Sequence, residues 1–175
     1  MRTLRSLVAL FLCCLLPGAC TLQRPAEPPA VIAPPSAAAE VHSVQPLAQG
    51  DAIAAAASAL VGKPYHFGGA DQGGFDCSGL AVFVHERVGL MIPRTAAEQQ
   101  RAAHPVPAAQ ILPGDLLFFR MRKHGIDHVG IYLGESRFVH APHAGVPVTT
   151  AELDSGYYAR HFIGAGRFWE QNPPP

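Results

Sequence analysis

Apolar residues recur at helical spacing in the middle of the chain. Residues 77–88 carry apolar side chains on one helical face, and Gly89 follows as a stop signal. Residues 51–62 are alanine-rich, with Asp51 as a candidate N-cap, and residues 96–101 form a shorter stretch of helical character. The pattern therefore predicts three helices.

Further along, the pattern changes to short apolar or alternating runs that are typical of strands. Residues 116–119, 127–133 and 137–141 are the clearest of these runs, and residues 146–149 and 162–168 are weaker candidates. Helices come first and strands follow, which is the order typical of an α+β domain. We therefore expect a compact α+β fold in which N-terminal helices pack on an antiparallel β-sheet.

The first 20 residues have the parts of an export signal. Arg2 and Arg5 precede an apolar run over residues 7–16, which is shorter than the roughly 20 residues that a membrane span needs. Small residues directly before Cys20 indicate a lipoprotein signal peptide over residues 1–20, with the lipid on Cys20. Pro17 departs from this pattern, because leucine usually stands three residues before the cysteine. A plain secreted form and a retained anchor therefore stay open.

Three further segments follow from composition. Residues 21–49 are rich in proline and alanine and predict a flexible tether without helix or strand, since proline fixes φ and lacks a backbone N–H. Such a tether could reach on the order of 90 Å at about 3.1 Å per residue. We expect residues 50–170 to form the folded domain and residues 171–175 to form a disordered tail. This order predicts a domain held away from a membrane surface.

Charge and cysteine content exclude several classes of protein. The formal net charge is +0, and no basic stripe indicates nucleic-acid binding, whereas 49% hydrophobic residues suffice for a packed core. Of the four cysteines, only Cys77 lies beyond the first 20 residues. A disulfide within the folded region is therefore excluded, and no cysteine–histidine spacing there is typical of zinc.

Cys77 is the candidate nucleophile. It follows the turn-forming pair Gly73-Gly74 and stands at the predicted start of a helix, where unpaired N–H groups and the helix dipole favour a thiolate. The alternative is an inert buried cysteine, which is the commonest state of a lone thiol. Asp76 is either the N-cap of this helix or a contact for a substrate amine.

Two histidines are candidates for the base and its orienting partner. If residues 134–136 form a three-residue turn, His140 lies opposite Gly130 and diagonal to His128, so both imidazoles share one face of the sheet. A two-residue turn would place them on opposite faces. In the first arrangement His128 takes the thiol proton, giving a resting thiolate–imidazolium pair, and His140 accepts the other N–H of His128.

The remaining histidines are expected to be structural or surface residues, with His143 a weak rival to His140. A zinc site formed by Cys77, His128 and His140 is a poor alternative, because these ligands lack a short-range pair. The Cys77 backbone N–H and Tyr65 are candidate donors to an acyl oxyanion. This set of groups favours acyl transfer through a thioester, most simply amide hydrolysis.

Six ordered blocks resemble the NlpC family of bacterial cell-wall cysteine peptidases. They are YHFGG at 65–69, FDCSGL at 75–80, PRT at 93–95, PGDLLFF at 113–119, HVGIYLG at 128–134 and FVHAP at 138–142. The resemblance implies a papain-like fold and a triad of Cys77, His128 and His140, with Tyr65 near the oxyanion. It also implies that Asp76 and Ser78 bind the substrate, a peptidoglycan stem peptide often cut between D-glutamate and a diamino acid.

Taken with the export signal, the resemblance implies an endopeptidase of the cell envelope that needs no cofactor or metal and works as a monomer. If Cys20 is lipidated in a Gram-negative envelope, Thr21 favours an outer-membrane lipoprotein facing the periplasm. Three alternatives stay open. They are an amidase or acyltransferase of the same fold, a non-enzymatic peptidoglycan-binding lipoprotein, and a metal protein.

Overall fold

The computed structural model describes residues 37–122 and 125–169. Its four α-helices are α1 (Ala37–Ser58), α2 (Cys77–Glu86), α3 (Ala96–Ala102) and α4 (Gly156–His161). A 3₁₀ turn covers Ala108–Gln110. Among the described helices, none combines the length and apolar character needed to cross a membrane.

In the described part of the chain, eight strands form a two-stranded hairpin and a six-stranded sheet. Their bounds are β1 (Ala70–Asp71), β2 (Gly74–Phe75), β3 (His104–Val106), β4 (Leu116–Phe119), β5 (His128–Gly134), β6 (Arg137–His140), β7 (Thr149–Glu152) and β8 (Phe162–Arg167). The order in the large sheet is β3-β8-β4-β5-β6-β7, and each neighbouring pair is antiparallel. The predicted α+β class with an antiparallel sheet is confirmed.

Both faces of the sheet are covered, and this explains why all four residues of β4 are buried. On one face, β4 and β5 pack through Phe118 and Ile131 against apolar residues of α1 and α2, including Leu80. On the other face, Phe119 and Phe138 form a second cluster, against which Tyr158 and Phe162 pack. The helix that begins with Cys77 is therefore held against the central strands.

The β5–β6 hairpin combines a two-residue turn with a bulge. Glu135 and Ser136 both have positive φ, at 51° and 57°, as a type I′ turn requires. Gly134 pairs with Arg137, but Ile131 pairs with Val139, because the register shifts between Tyr132 and Gly134. The predicted three-residue turn is wrong in form. The register that it implied for the histidines is nevertheless present.

Several expectations about the elements need correction. Helix α1 begins at Ala37, not near residue 50, so the expectation that no helix forms in residues 21–49 is wrong from Ala37 onward. Alanine-rich segments lie on both sides of Pro46, at residues 37–39 and 52–57, and a proline inside a helix kinks it without excluding it. Asp51 thus lies inside α1. The weak strand expected at 146–149 lies instead at Thr149–Glu152.

The hairpin of β1 and β2, the edge strand β3 and helix α4 were not predicted, because each is short and lacks a clear apolar period. Three expected segments fall outside the described residues wholly or in part. They are the signal peptide of residues 1–20 with Cys20, residues 21–36 of the tether expected over 21–49, and the tail expected over 171–175.

Candidate active site

Cys77 is the first residue of α2, and Asp76 is its N-cap. The thiol is free and partly buried. Burial raises its pKa, and the charge of Asp76 adds to this effect, whereas hydrogen bonds from the backbone N–H groups of Val129, Ser78 and Cys77 itself act to lower it. These N–H groups form the polar surroundings that a thiolate requires.

Asp76 ties the preceding loop to the start of α2. Its Oδ1 accepts the Gly79 N–H at 2.6 Å, and its Oδ2 accepts the Gly68 N–H at 3.0 Å. A Cβ on Gly79 would overlap the carbonyl oxygen of Gly69, so glycine is needed where the loop crosses the helix. The capping role considered for Asp76 is therefore present, and it fixes the position of Cys77.

Arg94 is a site residue that sequence reasoning missed. Its Nη1 donates to Asp76 Oδ1 at 2.9 Å and to Ser78 Oγ at 2.9 Å, while its Nη2 donates to Asp76 Oδ2 at 2.7 Å. Burial acts to raise the pKa of Asp76, but the hydrogen bonds from Arg94, Gly79 and Gly68 outweigh it and hold that pKa below its ordinary value. The only sequence signal for Arg94 was the PRT block in which it stands.

His128 and His140 form a hydrogen-bonded pair, as the predicted register requires. His128 Nε2 lies 2.8 Å from His140 Nδ1, and the two rings are nearly perpendicular at 86°. The side chains are almost fully buried, with relative exposures of 6% and 1%. The arrangement leaves Nδ1 of His128 as the ring nitrogen available to another group.

Burial keeps both imidazoles neutral near pH 7. It lowers the pKa of His128 to about 4, against a smaller raising effect of Asp127. It also lowers the pKa of His140 to about 3, together with the charges of His128 and His143. Because burial also raises the pKa of Cys77, it favours a neutral thiol and a neutral imidazole at rest over the expected thiolate–imidazolium pair.

Cys77 and His128 line the same cleft, which has a volume of ≈ 610 Å³. This volume suits a segment of peptide or a small organic ligand. Tyr65, Asp76 and Ser78 also line the cleft. The remaining lining residues are Phe67, Gly68, Arg94, Thr95, Ala96, Ala97, Met121, Arg122, Ile126, Asp127, Pro142 and His143. The structure thus brings together every expected site residue within the described chain, with His140 directly behind His128.

Tyr65 is positioned by a β-bridge to Phe75, two residues before Cys77. Burial raises the pKa of its phenol, and the nearby charges of Cys77 and Asp76 raise it further. Tyr65 therefore stays protonated and can donate a hydrogen bond into the cleft.

Two other described histidines, His143 and His85, have partners outside the imidazole pair. His143 lines the cleft, but its Nδ1 lies 2.9 Å from the carbonyl oxygen of Ala144, not from His128. His85 is buried in the core, with Nδ1 at 2.8 Å from the Ala81 carbonyl oxygen. Within residues 37–122 and 125–169, no group of three or more His, Cys, Asp or Glu side chains could hold a metal ion.

A cysteine at the start of a helix, packed on an antiparallel sheet that carries an imidazole pair, is the architecture of a papain-like cysteine peptidase domain. The model of the NlpC/P60 family matches residues 62–167 of the chain. The chain belongs to the NlpC/P60 family, and the resemblance found in the sequence is confirmed.

Known proteins share this domain as part of longer chains. The murein DD-endopeptidase MepH of Escherichia coli strain K12 is 41% identical over 112 residues, which cover 61% of this chain and 41% of the relative. The bifunctional muramidase/DL-endopeptidase CwlT of Bacillus subtilis strain 168 is 38% identical over 109 residues, covering 61% of this chain and 32% of that protein. The aligned region thus spans about two fifths or less of these relatives.

A crystal structure of an NlpC/P60 family protein from Bacillus cereus ATCC 10987 superposes with a TM-score of 0.65. It is 30% identical, and the match covers 69% of this chain and 40% of that one. The fold of the described domain is therefore that of NlpC/P60 proteins.

Proposed function

We propose that the protein is a cysteine endopeptidase that hydrolyses peptide bonds in peptidoglycan stem peptides. The observation that carries the proposal is that Cys77 and His128 line one cleft, while Nε2 of His128 is hydrogen-bonded to Nδ1 of His140. The proposal is supported by family membership and by relatives that are named a murein DD-endopeptidase and a bifunctional muramidase/DL-endopeptidase.

In the first half of the proposed reaction, the Cys77 thiol loses its proton to His128 Nδ1 and attacks the scissile carbonyl carbon. The oxyanion that forms accepts hydrogen bonds from the Cys77 backbone N–H and from the phenol of Tyr65. Collapse of the tetrahedral intermediate breaks the C–N bond, and the leaving amine takes the proton from His128. This leaves a thioester on Cys77 and a neutral imidazole.

In the second half, His128 accepts a proton from water, and the hydroxide attacks the thioester. The C–S bond breaks, the sulfur recovers the proton from His128, and a carboxylic acid is released. His140 holds the His128 ring throughout by accepting its Nε2–H, and it contributes no full negative charge.

We propose that the cluster of Asp76, Ser78 and Arg94 binds the stem peptide on the same side of the cleft as Tyr65. Asp76 already accepts hydrogen bonds from Gly68, Gly79, Ser78 and Arg94. A carboxylate has about four lone-pair sites, so a substrate amine would have to displace or share one of these donors. Recognition therefore rests on the whole cluster and not on a free carboxylate.

The direct test is digestion of purified muropeptides by the full-length protein, with products weighed by mass spectrometry and the Cys77→Ala variant as control. Cleavage inside the stem that depends on Cys77 is expected. Release of the entire stem would identify an amidase, and a joined product would identify an acyltransferase. Binding without turnover in the wild-type protein would instead support a peptidoglycan-binding protein.

For the scissile bond, we propose the link between D-glutamate and the diamino acid. One relative is named a DD-endopeptidase and another a DL-endopeptidase, so two substrates should be compared side by side. They are an uncrosslinked stem tetrapeptide and a D-alanyl-crosslinked dimer. Cleavage of the uncrosslinked stem at D-glutamate supports the proposed bond, whereas opening of the crosslink alone would contradict it.

We further propose that the chain is exported and held at the outer membrane by a lipid on Cys20, facing the periplasm. The support is the sequence of residues 1–20 and the location of peptidoglycan itself. Metabolic labelling with a fatty acid should mark the wild-type protein but not Cys20→Ala. Labelling that is equal in both, or absent from both, would contradict the anchor and leave the catalytic proposal standing.

A further inference from the structure

Helix α4 places Tyr158 against the buried end of the imidazole pair. The phenol oxygen of Tyr158 lies 3.3 Å from His140 Nε2, the ring nitrogen that His128 does not use. The Tyr158 ring packs nearly edge-on to His140 and Phe138, at 86° and 85°, with centroid distances of 5.3 and 5.0 Å. A continuous chain of contacts therefore runs from His128 through His140 to Tyr158.

The direction of these hydrogen bonds decides whether His128 can act as a base. A neutral imidazole carries one N–H, so His140 donates through one nitrogen and accepts through the other. If Tyr158 donates to His140 Nε2, then His140 donates to His128 Nε2. His128 would then carry its proton on Nδ1 and could not take one from Cys77.

The opposite direction is productive. If Tyr158 accepts the His140 Nε2–H, then His140 Nδ1 accepts the Nε2–H of His128, and Nδ1 of His128 is free for the thiol proton. Tyr158 is half-buried, and its phenol oxygen has lone pairs that can accept the His140 N–H while its own O–H turns away from His140. Burial, together with the charge of Tyr157, raises the pKa of Tyr158, so the phenol accepts as a neutral group.

We propose that Tyr158 is a positioning residue that selects the tautomer of His140 and, through it, the tautomer in which His128 is a base. The inference rests on the proposed cysteine peptidase function and deepens it. The proposed role of Tyr158 requires contact with His140 and not with the substrate or the thiol. Its effect is on the fraction of enzyme in the reactive tautomer, so it acts on kcat and not on substrate affinity.

The kinetic test compares Tyr158→Phe with the wild-type protein and with Tyr157→Phe on muropeptides. The Phe ring keeps the aromatic contacts of position 158 and removes only the oxygen. We expect kcat to fall roughly fivefold with KM unchanged, which corresponds to about 1 kcal/mol, the net value of one neutral hydrogen bond. Tyr157 is 53% exposed, and its Phe variant should retain the wild-type kcat.

The spectroscopic test reads the tautomer directly, by ¹⁵N NMR of histidine-labelled full-length protein at pH 7. We expect His140 in the wild-type protein to carry its proton on Nε2, and the Tyr158→Phe variant to show a mixture of tautomers. A proton on His140 Nδ1 in the wild-type protein would overturn the proposal, even if the variant failed to fold. An unchanged tautomer and kcat in Tyr158→Phe would do the same.

The peptidase function and the role of Tyr158 can be refuted separately. If the wild-type protein cleaves no muropeptide, the proposed function is wrong, whatever tautomer His140 has. If the wild-type protein cleaves and Tyr158→Phe cleaves equally well, the peptidase function stands and the role of Tyr158 is refuted.

Discussion

Asp76→Asn is the most informative single change outside the proposed triad. The substitution preserves shape and leaves an amide oxygen to accept the Gly79 N–H, so α2 keeps its N-cap. The amide nitrogen, however, replaces the oxygen that accepts from Gly68 at 3.0 Å and from Arg94 Nη2 at 2.7 Å. In the variant, the amide NH₂ of residue 76 would face the N–H donors of Gly68 and Arg94, so both hydrogen bonds are lost.

The expected loss in the free energy of unfolding is about 2–3 kcal/mol. Hydrogen bonds to a charged group are worth roughly 1.5–3 kcal/mol each when buried. The Asp76 side chain is only 14% exposed, but that of Arg94 is 40% exposed, so solvent screens the Arg94 bond and its contribution is discounted. Loss of the negative charge at the helix N-terminus adds about 0.3–1 kcal/mol.

Urea unfolding at pH 7 measures this loss, with Asp71→Asn as the matched control. Asp71 accepts one hydrogen bond, from Gly73 at 2.8 Å in an exposed turn, so its variant should change the free energy of unfolding by less than about 0.5 kcal/mol. A loss below about 0.5 kcal/mol in Asp76→Asn would refute the view that Asp76 holds the loop and Arg94 in place.

The pH dependence provides a second check with a fixed sign. The folded-state pKa of Asp76 is below its ordinary value of 3.8, so the ionised carboxylate stabilises the fold above that value. This contribution is lost as the pH falls through the folded-state pKa, because the protonated group no longer pairs with Arg94. The gap between wild type and Asp76→Asn should therefore narrow in acid. A gap independent of pH would contradict the ion pair.

Three further predictions concern the imidazoles and the sheet. Because burial lowers the pKa of His128 to about 4, kcat/KM should decrease in acid only near pH 4. A decrease centred near pH 6.5, the ordinary histidine pKa, would contradict a buried base. Burial lowers the pKa of His85 to about 4, so unfolding takes up a proton between pH 6.5 and 4, and the free energy of unfolding decreases as the pH is lowered through this range. His85→Leu should reduce this pH dependence, measured by urea unfolding, by about 1.4 kcal/mol per pH unit. An unchanged pH dependence would refute the prediction. A Cβ at Gly130 would overlap Phe138, so Gly130→Ala should cost about 1–3 kcal/mol in urea unfolding and lower kcat by tilting His140, whereas wild-type stability would show that the ring moves freely.

Much of the site could be predicted because its signals are local. Asp76 directly precedes α2 and caps it. The stop signal at Gly89 predicts the end of α2 to within two residues, since the helix ends at Glu86 and the expected end is residue 88. The buried strand β4 matches its apolar run residue for residue. Alternation along the strands then places His128 and His140 on one face.

The missed residues depend on contacts that no local pattern encodes. Arg94 reaches Asp76 across 18 residues of sequence, and Tyr158 reaches His140 across the same separation. Tyr158 stands in a six-residue helix without apolar periodicity, and that helix is ordered by ring packing on Phe119 and Phe138. Such a helix is stabilised by its tertiary contacts, so its sequence alone is a weak signal.

The hairpin between β5 and β6 brings the two imidazoles together although its turn differs from the expected one. With the two-residue turn alone, Gly134 pairs with Arg137, and continuing that register would set His140 opposite Ile131, on the face away from His128. The extra residue at Leu133 shifts the ladder so that Ile131 pairs with Val139, and the same register sets His140 opposite Gly130. A three-residue turn and a two-residue turn with one bulged residue both leave three residues unpaired between the two strands. This odd number of unpaired residues, and not the type of turn, sets His128 and His140 on the same face of the sheet.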